Sequence, residues 1–220
     1  MSEERQDIEK AVVLGAGTMG AQVAAHLVAQ GIDVALLDMV PPAPPASADR
    51  SALARRGIDA LRKLKPSPLH LPEHAELIRP GNFEDDWREL EDADWIFEAV
   101  LEDLEVKRRL FARVAPSAKR SALVTSNTSG LGIGSMSAQL PEDLRRRFFG
   151  THFFNPPRYL KLLETIPGPD TDLERRVVQV ARRSPRSPRR RRLKHATIES
   201  NEMATSTERQ PGQVDLPWTR

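Results

Sequence analysis

The stretch AVVLGAGTMGAQVAAHL, residues 11–27, decides which fold is expected for this chain. Four apolar residues come first, a glycine-rich hexapeptide follows, and an alanine-rich segment without proline comes last. This order predicts a buried strand, a tight turn and a helix. The hexapeptide GAGTMG, Gly15–Gly20, matches G-x-G-x-x-G, a pattern that binds the phosphates of a dinucleotide when a strand precedes it and a helix follows it.

Each glycine of this turn has a physical role. Gly15 permits the tight turn, because glycine adopts backbone angles that other residues avoid. Gly17 lets backbone N–H groups approach a pyrophosphate without a Cβ in the way, and Gly20 lets the helix pack closely on the strand. The free N–H groups at the start of the helix attract the phosphates. The residues predicted to bind the cofactor are Gly15, Ala16, Gly17, Thr18, Met19 and Gly20.

Asp38 indicates which dinucleotide is bound. It ends the next apolar run, DVALLD, 18 residues beyond Gly20. A carboxylate at this place accepts a hydrogen bond from a ribose hydroxyl and repels a 2′-phosphate, and the nearest downstream base is Arg50. NAD is therefore favoured over NADP. On the motif alone FAD stays possible, and so does a glycine turn that serves only packing.

Beyond the turn, short apolar runs alternate with longer amphipathic segments. Strands are predicted over residues 11–14, 33–38, 95–100, 122–126, 148–154 and 161–166. Helices are predicted over residues 19–30, 48–65, 104–114 and 141–147, with a proline-rich loop at 41–45. This alternation predicts an α/β fold of the Rossmann type, a doubly wound, mostly parallel sheet with crossover helices.

The net charge of +2 combines two unlike parts of the chain. Residues 175–220 hold 12 of the 33 Lys and Arg residues but only 4 of the 31 Asp and Glu residues, so the remainder is acidic. The sequence RSPRSPRRRR, residues 183–192, lacks the apolar periodicity of a core. We therefore expect residues 1–183 to form an NAD-binding domain and residues 184–220 to form a low-complexity, disordered basic tail.

Several classes of function are disfavoured by composition. The chain has no cysteine, which excludes disulfides, thiol nucleophiles and thiolate metal sites, and its five histidines show no metal-ligand spacing. No stretch approaches the roughly 20 apolar residues of a membrane span, and the opening residues are too polar for a secretory signal. We expect a cytoplasmic protein without a metal or a membrane partner. The acidic body gives no reason to expect nucleic acid binding by the folded part.

A second informative stretch is GTHFFNPPRYLKLLET, residues 150–165. His152 is a candidate base, because an imidazole can take the proton of an alcohol while a hydride leaves the carbon. Glu164 lies in an apolar run, where an unpaired buried carboxylate is costly, so it suggests a partner. The prolines at 156–157 let the chain turn back and bring Glu164 beside His152. Taken alone, a histidine in such an apolar run is more often a hydrogen-bonded core residue than a base.

Four motifs in a fixed order resemble a known family. They are GAGTMG, EAVLEDLEVK (98–107), SNTSGL (126–131) and GTHFFNPP (150–157). Together they resemble the NAD-binding domain of the L-3-hydroxyacyl-CoA dehydrogenases, and are most similar to the branch in which this domain begins a long chain that also carries an enoyl-CoA hydratase. The resemblance implies reversible oxidation of an L-3-hydroxyacyl-CoA to the 3-ketoacyl-CoA, with NAD, in fatty acid β-oxidation.

The resemblance also implies roles for single residues. It makes His152 the catalytic base and Glu164 the residue that orients it, while Ser129 and Asn155 contact the substrate. A hydroxyl that caps the following helix is the alternative for Ser129, and turn chemistry is the alternative for Asn155.

On the cofactor side, the resemblance implies that Glu102 and Lys107 contact NAD and that Asp38 binds the adenosine ribose. Solvated surface charge is the alternative for Glu102 and Lys107.

The chain also departs from the family, in which a helical domain follows, dimerises and closes the acyl-CoA cleft. Residues 168–183 resemble the family's next helix, but the arginine, serine and proline run replaces its continuation. Without the dimerising domain we expect a monomer. Translation out of frame is one explanation for the arginine, serine and proline run.

Two alternative functions stay open. They are a non-catalytic NAD-binding domain, and binding of RNA or a partner through the basic tail. A hydroxy-acid dehydrogenase of the 6-phosphogluconate type would leave HFFNP and Glu164 unexplained.

Overall fold

The computed structural model describes residues 8–42, 49–160 and 162–172. Seven strands form one sheet with the order β3-β2-β1-β4-β5-β6-β7. They are β1 (Lys10–Leu14), β2 (Asp33–Asp38), β3 (Ile78–Asn82), β4 (Trp95–Glu98), β5 (Leu123–Ser126), β6 (Phe148–Phe153) and β7 (Leu163–Pro167). β7 is antiparallel to β6, and all the other neighbouring strands of the sheet are parallel. The strand order reverses between β1 and β4, so the prediction of a doubly wound Rossmann sheet is confirmed.

Four of the five α-helices of the described residues lie where the sequence pattern predicts them, and three of these four are shorter than predicted. The five helices are α1 (Thr18–Val28), α2 (Ala52–Leu61), α3 (Leu104–Val114), α4 (Ile133–Ser137) and α5 (Glu142–Arg145). Two short 3₁₀ helices cover Pro72–Leu77 and Trp87–Leu90. The sequence did not predict α4, because five residues are too few to show a helical period.

The sequence analysis also missed β3. Its sequence IRPGN contains Pro80 and Gly81, two residues that are depleted in strands. The strand pairs only with β2, from Val34 opposite Ile78 to Asp38 opposite Asn82, and so forms an edge of the sheet. A proline is tolerated at an edge because its missing N–H removes no bond that the sheet needs.

The central strands are buried on both faces, which explains why β1 and β2 show continuous apolar runs. Aromatic rings of β4 and β6 pack against one another beside the sheet. Phe97 contacts Trp95 and Phe153 edge to face, with ring centroids 5.7 Å apart in each pair. This packing supports the carboxyl ends of β4 and β6, where the candidate site lies.

Some sequence predictions fall outside the described residues. These are the domain boundary after residue 183, the basic tail at 184–220 and most of the segment at 168–183 that resembles a helix, and they stay predictions. Among the described residues, no helix has both the length and the apolar character needed to cross a membrane.

His26 lies close to a histidine that is distant from it in sequence, His70, which in turn lies close to His74. The ring of His26, in α1, lies 6.4 Å from His70 and 5.9 Å from Phe153, and His70 lies 6.5 Å from His74. Burial, followed by repulsion from His70, lowers the pKa of His26 to about 4. Within residues 8–42, 49–160 and 162–172, no group of His, Asp or Glu residues is arranged to hold a metal ion.

We expect His26 to make the domain sensitive to acid. Its folded pKa of about 4 lies below the unfolded value of 6.5, so the fold disfavours the proton and stability falls as the pH falls from 6.5 towards 4. The group that faces His26 is His70, with Arg158 and His74 beyond it. Between neutral pH and pH ~4.5, the free energy of unfolding of the wild type should drop by about 2 kcal/mol more than that of His26→Phe. Urea unfolding of both proteins at both pH values measures this difference. An equal drop in the free energy of unfolding of the wild type and of His26→Phe would contradict the prediction.

Candidate active site

The glycine turn between β1 and α1 has the geometry expected of a phosphate-binding turn. Gly15 has φ +102°, and a Cβ there would lie 2.5 Å from the carbonyl oxygen of Ala99. A Cβ on Gly20 would lie 1.8 Å from the carbonyl oxygen of Gly15. A Cβ on Gly17, in contrast, would have no described atom within 4 Å. The fold itself therefore requires glycine at positions 15 and 20, whereas the space at Gly17 is open to a ligand.

The start of α1 completes this turn. The helix begins at Thr18 after Gly17, with no side-chain capping hydrogen bond and no acidic residue in its first turn. The first N–H groups of a helix have no partner within the helix, and the helix dipole favours an anion there. The turn and the helix start therefore fit the pyrophosphate of a dinucleotide.

Asp38 lies at the end of β2, beside the turn. Its carboxylate accepts the N–H of Ala16 at 2.6 Å and the N–H of Met39 at 2.7 Å. Burial raises the pKa of Asp38, and the two backbone hydrogen bonds oppose that rise. Because each carboxylate oxygen has a second acceptor position, the group can hold the turn and still accept a hydrogen bond from a ribose hydroxyl.

His152 and Glu164 face each other across β6 and β7. They are directly opposite in the antiparallel register, and Nδ1 of His152 lies 3.0 Å from Oε2 of Glu164. The predicted return of the chain is thus confirmed. The predicted burial of Glu164 is wrong, since its side chain is 46 % exposed. β7 is an edge strand, so the strand register, rather than burial, brings the carboxylate to the imidazole.

A cavity of about 490 Å³ opens at the carboxyl ends of the parallel strands. On one side its lining includes residues predicted to bind the cofactor: Gly17, Thr18, Met19 and Glu102. On the other side it includes three of the residues predicted to act on the substrate: Ser129, His152 and Asn155. Six further predicted residues are not part of this lining: Gly15, Ala16, Gly20, Asp38, Lys107 and Glu164. The cavity therefore joins the phosphate-binding turn to the imidazole, as a site for hydride transfer requires.

Ser129 and Asn155 both present polar side chains to this cavity. α4 begins at Ile133 with Gly132 at its N-cap, so the alternative that Ser129 caps this helix is wrong. Within the described part of the chain, neither the hydroxyl of Ser129 nor the carboxamide of Asn155 has a hydrogen-bond partner. Both groups are available to a substrate.

Lys107 lies beneath the cavity in a buried network of charges. Its ammonium is 2.7 and 2.9 Å from the two carboxylate oxygens of Glu98, and 3.0 Å from Oε2 of Glu102. The side chains of Lys107 and Glu98 are 1 % and 0 % exposed, so the alternative of solvated surface charge is wrong for Lys107. Burial raises the pKa of Glu98, and the attraction of Lys107 opposes that rise. A direct contact between Lys107 and a cofactor stays a prediction.

Glu102 connects two loops of the site. Its Oε1 accepts the hydroxyl of Thr128 and the N–H groups of Ser129 and Gly130, the latter two at 3.2 and 3.4 Å. Desolvation acts to raise the pKa of Glu102, but the hydrogen bonds from Thr128 and Lys107 outweigh it and lower that pKa. Glu102 thus ties the loop after β4 to the loop after β5, and keeps its charge at the cavity wall.

The sequence analysis missed part of this network. Glu98 lies within the apolar strand WIFE, the same signal that singled out Glu164, and could have been found in that way. It also accepts the hydroxyl of Ser126 at 2.5 Å. Asn127 and Thr128 gave no such signal, because short polar side chains after a strand are ordinary in loops.

We expect Lys107→Met to destabilise the domain strongly. It leaves the buried carboxylate of Glu98 without its cation, and breaking a buried pair in this way costs about 3–5 kcal/mol. Urea unfolding measures the loss, with Lys63→Met at an exposed position as the control. Adding Glu98→Gln to Lys107→Met should recover much of the stability, because it removes the unpaired charge. A loss no larger than that of the control would contradict this role.

Comparison with known proteins shows the family to which the chain is similar. Residues 10–188 match the family model described as "3-hydroxyacyl-CoA dehydrogenase, NAD binding domain". A "Probable 3-hydroxyacyl-CoA dehydrogenase" of Bacillus subtilis is 47% identical over 176 residues, covering 75% of this chain and 22% of the relative. A protein of the same name from Deinococcus radiodurans is 46% identical over 165 residues, covering 75% and 47%. The chain thus spans less than half the length of these relatives.

A solved structure agrees with these relatives. The crystal structure of 3-hydroxybutyryl-CoA dehydrogenase from Escherichia coli matches with a TM-score of 0.62 and 30% sequence identity, covering 77% of this chain and 34% of that one.

Proposed function

Because the chain belongs to the family of NAD-binding domains of 3-hydroxyacyl-CoA dehydrogenases, we propose that it catalyses the reversible oxidation of an L-3-hydroxyacyl-CoA to the 3-ketoacyl-CoA, as a step of fatty acid β-oxidation. The observation that carries the proposal is the pair of His152 and Glu164, whose imidazole lines the same cavity as the glycine turn.

The geometry of this pair suits general base catalysis. If Nδ1–H of His152 donates to Glu164, the neutral ring has its acceptor at Nε2, which can take the proton of the substrate hydroxyl. The carboxylate of Glu164 then stabilises the imidazolium that forms and keeps the ring in one orientation. In the reverse direction, the imidazolium returns the proton to the ketone oxygen.

The cofactor side of the proposal rests on the turn and on Asp38. When bound, NAD supplies the acceptor for the hydride that leaves the hydroxyl-bearing carbon. The open space at Gly17 and the start of α1 would hold its pyrophosphate, and Asp38 would accept a ribose hydroxyl. Glu102, at the cavity wall, is a further polar contact on this side.

The substrate side of the proposal rests on the free polar groups opposite the turn. The hydroxyl of Ser129 and the carboxamide of Asn155 can hydrogen-bond the reacting oxygen or the thioester carbonyl, and so hold the carbon in place for the hydride. Exposed apolar residues follow Asn155 in the sequence, among them Leu160 and Leu162. An acyl chain is a suitable partner for such residues.

The test is the consumption of NADH by the purified chain in the presence of acetoacetyl-CoA, followed by absorbance. We expect turnover with NADH, and much slower turnover with NADPH because Asp38 repels the 2′-phosphate. NADH binding is measured separately by fluorescence. Binding without turnover would overturn the catalytic proposal and favour a non-catalytic NAD-binding domain, while the absence of both would overturn the assignment of the cofactor site.

A further inference from the structure

The strand that carries His152 extends beyond the strand on its inner side. The pairing of β5 with β6 ends where Ser126 lies opposite Gly150. On its outer side, β6 stays paired with β7 as far as Phe153. His152 and Phe153, the last two residues of β6, therefore have no paired residue in β5, although both line the cavity.

A side chain takes the place of the missing strand. Oδ1 of Asn127, the residue that follows β5, accepts the N–H of Phe153 at 3.1 Å. Because a backbone N–H can only donate, the facing atom of the carboxamide is its oxygen, which fixes the orientation of the amide. Asn127 is itself anchored, since its N–H donates to the carbonyl of Glu98 at 2.8 Å. The carboxamide thus continues the β5–β6 ladder beyond the last residue of β5.

This contact differs from the local hydrogen bonds of a loop. It joins residues 26 positions apart on neighbouring elements. The local turn of the same loop is made by Thr128, whose hydroxyl accepts the N–H of Leu131 at 2.9 Å. Phe153, for its part, is buried and packs on Phe97 and His26. Asn127 and this packing together hold the residue that directly follows His152.

We infer that Asn127 is a positioning residue for His152: its carboxamide oxygen holds the end of β6 so that the imidazole stays at the cavity wall. The inference rests on the proposed function, because holding the ring matters only where the ring moves a proton. An error of about 1 Å in the position of a catalytic group can lower a rate by about a hundredfold.

Amide hydrogen exchange of the full chain, measured by NMR, tests the contact without any turnover. Asn127→Ala removes the acceptor and should speed the exchange of the Phe153 amide about tenfold. Asn127→Asp keeps an oxygen in that place and should restore the protection. The amide of Val124, which donates to the carbonyl of Arg147 at 3.1 Å within the sheet, is the internal control.

Unchanged exchange at Phe153 in Asn127→Ala, or a failure of Asn127→Asp to restore it, would overturn the inference. If the amide of Val124 also loses protection, the whole domain has been destabilised. In that event Asn127→Leu, which keeps the size of the side chain without the oxygen, replaces the alanine variant in the same comparison.

Kinetics then separate positioning from cofactor binding. Asn127→Ala should lower kcat for acetoacetyl-CoA reduction at least about tenfold, and change KM for NADH by less than about threefold. A rise in KM with kcat unchanged would overturn the inference. If the wild-type chain binds NADH without turnover, the proposed function fails, whereas the exchange measurement still decides whether Asn127 holds the end of β6.

Discussion

Replacing His152 with alanine is expected to lower the rate of acetoacetyl-CoA reduction about 10³-fold and to leave NADH binding nearly unchanged. General acid–base catalysis by a positioned side chain contributes about 10²–10⁴-fold, and His152 is the imidazole that joins the cavity to a carboxylate. The glycine turn and Asp38 lie on other elements, so the dinucleotide site should keep its shape. Absorbance measures turnover, and quenching of protein fluorescence measures NADH binding.

Glu164→Gln provides the matched comparison. It keeps a hydrogen-bond acceptor of the same size at 3.0 Å from His152 but removes the charge. Because the carboxylate of Glu164 is half exposed and water screens its field, we expect a smaller loss of rate, about tenfold. Rates in His152→Ala that match the wild type would show that the imidazole is a packing residue. A loss in Glu164→Gln equal to that in His152→Ala would show that the charge is indispensable.

Replacement by alanine is expected to affect two glycines of the turn differently: at Gly20 it should destabilise the fold, and at Gly17 it should weaken only the binding of NADH. In Gly20→Ala the new Cβ would lie 1.8 Å from the carbonyl oxygen of Gly15, so the backbone must move. We expect a loss of about 3 kcal/mol in the free energy of unfolding, as for other overpacked sites. Affinity for NADH should fall with it, because the turn itself is displaced. Urea unfolding and fluorescence titration measure the two effects.

Gly17→Ala is the control for that experiment and a prediction in its own right. Gly17 has φ −65° and ψ −175°, which alanine adopts without strain, and its Cβ would meet no described atom within 4 Å. We expect unfolding unchanged or stabilised by less than about 1 kcal/mol. Binding of NADH should nevertheless weaken more than about tenfold, because the methyl group occupies the approach of the pyrophosphate. Equal effects of both substitutions on stability would contradict this separation of roles.

Much of the fold could be predicted from local patterns. The glycine turn, the apolar runs of β1 and β2 and the acid at Asp38 each depend on neighbours close in sequence, and the structure confirms the doubly wound sheet they indicate. β3 could not be predicted in this way, because Pro80 and Gly81 are acceptable only at the edge of a sheet, and an edge is a property of the assembled fold.

The candidate site was also predicted only in part from the sequence. Chain order, the proline break and the polar residues in apolar runs indicated His152 and Glu164 as a pair, and the antiparallel register of β6 and β7 bears the pairing out. The reason given for it, burial of Glu164, was wrong, because exposure depends on which strands cover a face.

By itself, the sequence determined the dinucleotide turn, the sheet that carries it and the residue types of the His152–Glu164 pair, since each of these depends on short-range spacing. Only the tertiary structure decided that Lys107 is buried between Glu98 and Glu102, and that Asn127 reaches Phe153. Those contacts join separate loops, and their distances arise only when the parallel strands bring their carboxyl ends to one edge of the sheet.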